Sequence, residues 1–416
     1  MLNQQTDNAI ASHEIFADQA ALSDLFARVR REDPLHWTQA EGNPAFWAVT
    51  KHADLVEVGR QNEAFINGPM IFLRDDEEDR IARTDNGGKG AYLRTLVNMD
   101  MPDHRIYRGL TQAWFMPTNI KRLDGLMKDR AVELVDKLAS MGGRCDFVKD
   151  IAIWYPLRVI MSLLGVPEVD HPMLLQLAQQ ILAPKDPILR RKETGGVSAK
   201  AAVVRDFFDY FGKVVQDRRA NPRDDLSSLI ANLQVDGQPI GQMEVLSYFM
   251  ILATAGHDTT STSLAGGLLA LMHNPAELAK LRADPALLNT AVDEMFRWVS
   301  PVRHFMRTAT ADYELRGKTV KKDDLLMLSY YSANRDEDIF TDPQLFQVGR
   351  TPNRHVAFGF GAHACLGQNL ARAELKIFFK ELLARVEHVE IDGSFDWVSS
   401  NQVSGPRTLP IRYRMS

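Results

Sequence analysis

Apolar positions along this chain alternate over short runs at first and then recur at helical spacing over much longer stretches, which predicts small β-sheets attached to a mainly α-helical body. Strand-like runs such as 45–50 sit among turn residues, and helical patterns take over from about His104. The most apolar stretch, 243–272, predicts one long buried helix ending before Pro275. Ser, Thr, His and Asp residues interrupt it, so it reads as a helix through the protein core and not as a bilayer span. A further helix opens with Asp284 as N-cap and Pro285 in its first turn, and closes before Ser300 and Pro301. Strand-like alternation follows over 313–329, broken by an Arg316-Gly317 turn. The last long helix starts at or just after Cys365 and runs to about Val386, with Leu366, Leu370, Ala373 and Ile377 on one face, before a β-like tail at 409–413. Two polar stretches, 72–90 and 184–196, read as surface loops and as candidate gates to a pocket. The β-rich parts are thus expected at roughly 30–70 and 310–330, and the helical core at roughly 104–300 and 365–386.

No composition break or linker divides the 416 residues, and one large domain spanning 1–416 is expected. The 49 basic and 54 acidic residues leave a net charge of −5, which gives no electrostatic footprint for nucleic acid. Two cysteines, Cys145 and Cys365, cannot build a disulfide framework and suit a reducing cytoplasm. Residues 1–31 are polar and acidic, so neither a secretion signal nor a membrane anchor is expected there.

The chemistry concentrates in Phe358-Gly359-Phe360-Gly361-Ala362-His363-Ala364-Cys365-Leu366-Gly367. Its glycines let the backbone turn tightly just before a helix, whose N-terminal N–H groups and dipole favour a thiolate over a thiol. A buried free cysteine beside a Gly-rich turn is the plainer reading of a lone cysteine, but the whole pattern resembles the haem-binding signature of the cytochromes P450: Phe, Gly, any residue, Gly, three more, Cys, any, Gly. Every fixed position matches. The resemblance implies the cytochrome P450 fold, with haem b (iron protoporphyrin IX) held between the long core helix and the cysteine-loop helix. It also makes Cys365 the iron ligand, with Phe358 and Gly367 beside the cofactor. A thiolate ligand pushes electron density to the iron and favours O–O bond cleavage. Cys145 lacks this setting and is expected to be structural.

Other segments fit the same resemblance. Ala255-Gly256-His257-Asp258-Thr259-Thr260 sets polar residues into the apolar helix at a desolvation cost. It resembles the family's oxygen-activating motif, which implies that Thr259 steadies bound oxygen and Asp258 relays protons. His257 is not fixed in that motif, and a solvent-facing or structural role is expected. Glu294 and Arg297 share a helix face and resemble the family's structural Glu-x-x-Arg element, which implies a lock onto the Pro352-Asn353-Arg354 region. His104, Arg108, Arg307 and His363 match positions that bind the haem propionates.

Over 300–412 the chain is similar to family members that hydroxylate α-terpineol and alkyl-aromatic hydrocarbons. The resemblance implies a small hydrophobic substrate in a pocket drawn from Phe72, Ile251, Thr254, Ala255, Val302, Phe305 and Val403, with a steroid side chain as the alternative. These are equally good core residues. No reductase domain follows in the sequence, so dioxygen and electrons from a ferredoxin with its NADH-dependent reductase are the implied co-substrate and partners. Arg372 and Lys376, with Arg350 and Arg354, are candidate docking charges for the ferredoxin. A non-catalytic haem carrier or sensor is the reading from another class, and the Asp258-Thr259 pair argues against it.

Overall fold

A five-stranded sheet joins segments far apart in sequence, in the computed structural model that describes residues 2–85, 93–182, 186, 188, 190–191 and 199–416. Leu35–Thr38 and Phe46–Val49 form its early edge, and Leu325–Ser329, His304–Ala309 and Phe65–Ile66 complete it in that spatial order. Leu325–Ser329 runs parallel to Phe46–Val49 and antiparallel to His304–Ala309, setting Leu326 between Trp47 and Arg307. The hairpin of Tyr313–Leu315 and Lys318–Val320 turns on Arg316 and Gly317, both at positive φ, as a two-residue turn requires. A three-stranded sheet of Val386–Ile391, Pro410–Met415 and Arg144–Asp146 places Cys145 opposite Ile411. Burial there pushes the Cys145 thiol up to about 12, so it stays protonated and inert.

The helical body is organised around the helices Leu288–Val299 and Gln368–Arg385. Leu288–Val299 buries Ala291, Val292, Met295, Phe296 and Val299 and stops at Ser300, which is left-handed. Asp284 caps its entry turn by accepting from the Ala286 N–H at 3.0 Å. The largest apolar cluster includes Phe249, Leu264 and Leu268 of the core helices with Tyr155, Phe378 and Phe379. No helix among the described residues is long and apolar enough to cross a membrane.

Two expectations change. The 72–90 stretch is not loop throughout: Asp76–Asp85 is helical, and its first turn is closed reciprocally. The Asp75 carboxylate accepts from the Glu78 N–H at 2.7 Å, while the Glu78 carboxylate accepts from the Asp75 N–H at 3.0 Å. Residues 86–90 and most of 184–196 lie outside the described residues, and the gating expectation lies with them. The single helix expected over 243–272 is two helices, Gln242–Ala255 and Asp258–His273, interrupted at Gly256 and His257.

Candidate functional site

The cysteine loop folds as it does because nothing larger than hydrogen fits at one of its glycines. Gly361 has φ +78°, and a β-carbon there would stand 1.8 Å from the Gly59 carbonyl oxygen at the end of the helix His52–Arg60. The Cys365 N–H closes the loop on the Phe358 carbonyl at 2.8 Å. Gly367 is the N-cap of Gln368–Arg385, so Cys365 precedes the helix by three residues. Its side chain is solvent-accessible. The protein around it raises the thiol pKa by desolvation, whereas the Gly367 N–H and the charges of Arg108 and Arg372 pull toward the thiolate. Phe358 backs the loop, its ring 4.6 Å from that of Phe296 and covered by the Arg372 guanidinium at 4.4 Å.

Beneath the loop a charged lattice fixes its position. Glu294 is fully buried and accepts from Arg297 Nε and Nη2 at 2.7 and 2.8 Å, from Arg350 Nε at 3.1 Å and from Asn353 Nδ2 at 3.1 Å. Asp293 pairs with Arg372 at 2.7 Å and with His355 at 3.2 Å. The Glu-x-x-Arg pair is therefore locked by Arg350 and Asn353. Arg354 is exposed, and the contact from it is made by its carbonyl, which faces the His52 ring. Arg350 is consequently not a docking charge: it is 7% exposed and committed to Glu294, which leaves Arg354, Lys376 and the half-buried Arg372 as candidates.

Beside Cys365, basic groups gather, and among the described residues neither Arg108 nor Arg307 makes a salt bridge. The rings of His104 and His363 lie 3.8 Å apart, and Asn67 Nδ2 donates to His363 Nδ1 at 3.1 Å. His104 Nε2 is buried and has no hydrogen-bond partner among the described residues. Burial, reinforced by neighbouring Arg108 and Arg307, lowers His104 to about 4, and burial with the nearby His104 and both arginines lowers His363 to about 2. Arg307 donates to the Met306 carbonyl at 2.8 Å. The neighbouring carboxylate, Asp100, accepts from the backbone N–H groups of Asn67 and Gly68 at 2.7 and 3.1 Å. Such a donor set, with an orphaned imidazole nitrogen, fits a ligand bearing two carboxylates, and the nearby thiol fits iron, so the residues present suit a haem. Sequence reasoning missed Asn67 and Asp100, whose partners lie some thirty or more residues away across loops.

The break in the core helix has a local cause. A β-carbon on Gly256 would lie 2.4 Å from the Leu252 carbonyl oxygen and 2.8 Å from Ile160 Cγ1. His257 is fully buried, and its Nδ1 sits 2.9 Å from the Ala253 carbonyl, supplying the donor that a continuous helix would draw from backbone. The solvent-facing alternative for His257 is thus excluded. Asp258 stands in the first turn of the second helix, where burial raises its carboxyl pKa and the adjacent His257 opposes that shift. Among the described residues Thr259 Oγ1 makes only a long 3.4 Å contact, to the Ala255 carbonyl, leaving its hydroxyl able to turn toward another acceptor.

Among the expected pocket residues, the rings of Phe72 and Phe305 meet at 4.8 Å, and Val302 pairs with Val403 in an isolated β-bridge. Ile251 is partly open and Ala255, one turn later, is exposed. Thr254 differs: it is buried and its hydroxyl donates to the Met250 carbonyl at 2.9 Å, so its proton is already committed.

Comparison with known proteins gives a consistent picture. The sequence pattern of the family "Cytochrome P450" matches residues 169–405. The chain is 43% identical to cytochrome P450-terp of a Pseudomonas species, over 96% of this chain and 95% of that one. It is 32% identical to linalool 8-monooxygenase of Pseudomonas putida, over 93% and 94%. The crystal structure of CYP108D1 from Novosphingobium aromaticivorans superposes with a TM-score of 0.93 at 38% identity, covering 100% of both chains.

Proposed function

The chain belongs to the cytochrome P450 family of haem-dependent monooxygenases, and from that premise we propose that it hydroxylates a small, neutral terpenoid or alkyl-aromatic substrate with electrons from a ferredoxin. The observation that carries the catalytic part is the donor set near the Cys365 thiol: His104, whose Nε2 has no partner among the described residues, with His363, Arg108 and Arg307. In this reading Cys365 holds the iron of haem b, Phe358 and Gly367 flank it, and His104, Arg108, Arg307 and His363 hold the propionates. The bound haem supplies dioxygen activation, which the protein alone cannot perform.

The chain's own contribution is proton handling and orientation. Asp258, with its carboxyl pKa raised by burial, accepts a proton from solvent and passes it into the site, and the Thr259 hydroxyl receives and presents that proton. Phe72, Ile251, Ala255, Val302, Phe305 and Val403 hold the substrate by shape, and Thr254, whose proton is donated to Met250, adds no hydrogen-bond donor. The 43% identity to cytochrome P450-terp and the relative named for linalool support a terpenoid. Exposed Arg354 and Lys376 are a suitable rim for an acidic ferredoxin, reduced by an NADH-dependent reductase in the cytoplasm.

The test is a spin-state titration of the holoprotein with monoterpenes, alkylbenzenes and steroids, followed by turnover with a surrogate ferredoxin system. Terpenoids or alkylbenzenes should shift the spin state of the holoprotein and yield hydroxylated product. A response to steroids alone would overturn the substrate assignment, and binding without NADH consumption would favour a carrier or sensor.

A further inference from the structure

We propose that His304 is a positioning residue that sets the width of the substrate pocket by tying the loop carrying Phe72 to the loop carrying Val403. It rests on the reading that Phe72, Val302, Phe305 and Val403 face the substrate. His304 is 1% exposed and lies in the strand His304–Ala309. Side chains alternate along a strand, so Phe305 and His304 point to opposite faces. Phe305 meets Phe72 on one face, and the imidazole stands behind that wall.

From there it makes two bonds of opposite polarity. Nδ1 lies 2.7 Å from the Asn401 carbonyl, two residues before Val403, and Nε2 lies 2.9 Å from the Leu73 N–H, one residue after Phe72. A carbonyl can only accept and a backbone N–H can only donate, so Nδ1 carries the proton and Nε2 presents its lone pair. One neutral tautomer satisfies both loops. Burial favours that neutral form, lowering the imidazole to about 4. The imidazole and Phe72 rings also meet at right angles, their centroids 5.9 Å apart.

Each loop has an independent backbone anchor, so substitution at 304 should shift the loops and not unfold them. The Met306 N–H bonds to the Ile71 carbonyl at 2.9 Å, and the Arg303 N–H bonds to the Gln402 carbonyl at 2.8 Å. What the imidazole adds is a fixed distance between them.

The experiment compares His304→Leu, His304→Gln and His304→Asn holoproteins. A Gln oxygen can reach the Nε2 position and accept from Leu73, whereas an Asn amide can reach the Nδ1 position and donate to Asn401. Two readouts are taken: hydrogen exchange of the peptide containing the Leu73 amide, and the ratio of dissociation constants for a small probe, α-terpineol, and a bulky one, testosterone. His304→Leu should speed exchange at Leu73 and reduce discrimination between the probes about tenfold, equivalent to about 1.4 kcal/mol. Gln should preserve the slow exchange, Asn should not, and both should fall between wild type and Leu in discrimination. Unchanged exchange in His304→Leu, or faster exchange with unchanged discrimination, would overturn the proposal. Phe305→Ala and Val403→Ala separate the two claims. If they alter discrimination while His304→Leu does not, only the role of His304 falls; if none of the three does, the pocket assignment falls with it.

Discussion

The thiolate side and the substrate side of this site are built from opposite materials. Behind Cys365, Glu294 collects Arg297, Arg350 and Asn353, and Asp293 collects Arg372 and His355, so ion pairs and charge-assisted bonds fix the cysteine helix. Around Phe72, Phe305 and the Val302–Val403 bridge the contacts are aromatic and aliphatic, and the polar ties run to backbone groups, from the neutral His304 ring to Asn401 and Leu73 and from Arg303 to Ser404. A charged lattice is unforgiving because each partner removed strands a buried charge. Apolar walls tolerate exchange of shape, which lets one chemistry serve many substrates.

The sharpest way to break this contrast is to strike the lattice. Arg297→Ala leaves the buried Glu294 without its bidentate partner and should cost about 3–5 kcal/mol, with haem lost from most of the purified protein. A denaturation midpoint within error of wild type would remove the lattice from the account. Next in size, Asp258→Asn should slow turnover about a hundredfold while leaving the substrate-induced spin shift intact. Stopped-flow and steady-state rates check this, and Thr259→Ala should consume more NADH per product. Unchanged coupling in the threonine variant would dissolve the relay.

The smallest effect is in pH. His304 titrates near 4 when folded and near the ordinary histidine value of about 6.5 when unfolded, so between those values the unfolded chain binds the extra proton. Its stabilising contribution is therefore complete above about 6.5 and is lost as pH falls toward 4, by about 1.4 kcal/mol per pH unit. Urea midpoints of wild type should fall more steeply over that window than those of His304→Leu. Parallel curves would show that the imidazole is not held neutral.

The same contrast governs what could be read in the sequence. The cysteine loop was legible because its glycines and cysteine have no substitutes at fixed spacing, as Gly361 against Gly59 illustrates. The Arg316-Gly317 turn and the Asp284-Pro285 entry were legible because each is local. Arg350 was misread as a surface charge because a buried ion pair and a solvated one have the same composition, and only burial against Glu294 distinguishes them. The helix Asp76–Asp85 was hidden by its charge, although Asp75 and Glu78 spell a capping box. The break after Ala255 was hidden, because the carbonyl taken up by His257 depends on an interior that no periodicity reveals. His304 gave no signal, since both of its partners are backbone groups in distant loops.

The central claim is that Cys365 is a thiolate ligand held by that lattice, and the reduced carbon-monoxide difference spectrum tests it most directly. Wild type should give the strongly red-shifted Soret band of thiolate ligation, and Cys365→Ser should lose that band. A wild-type spectrum typical of nitrogen ligation, or a red-shifted band persisting in the serine variant, would contradict the account.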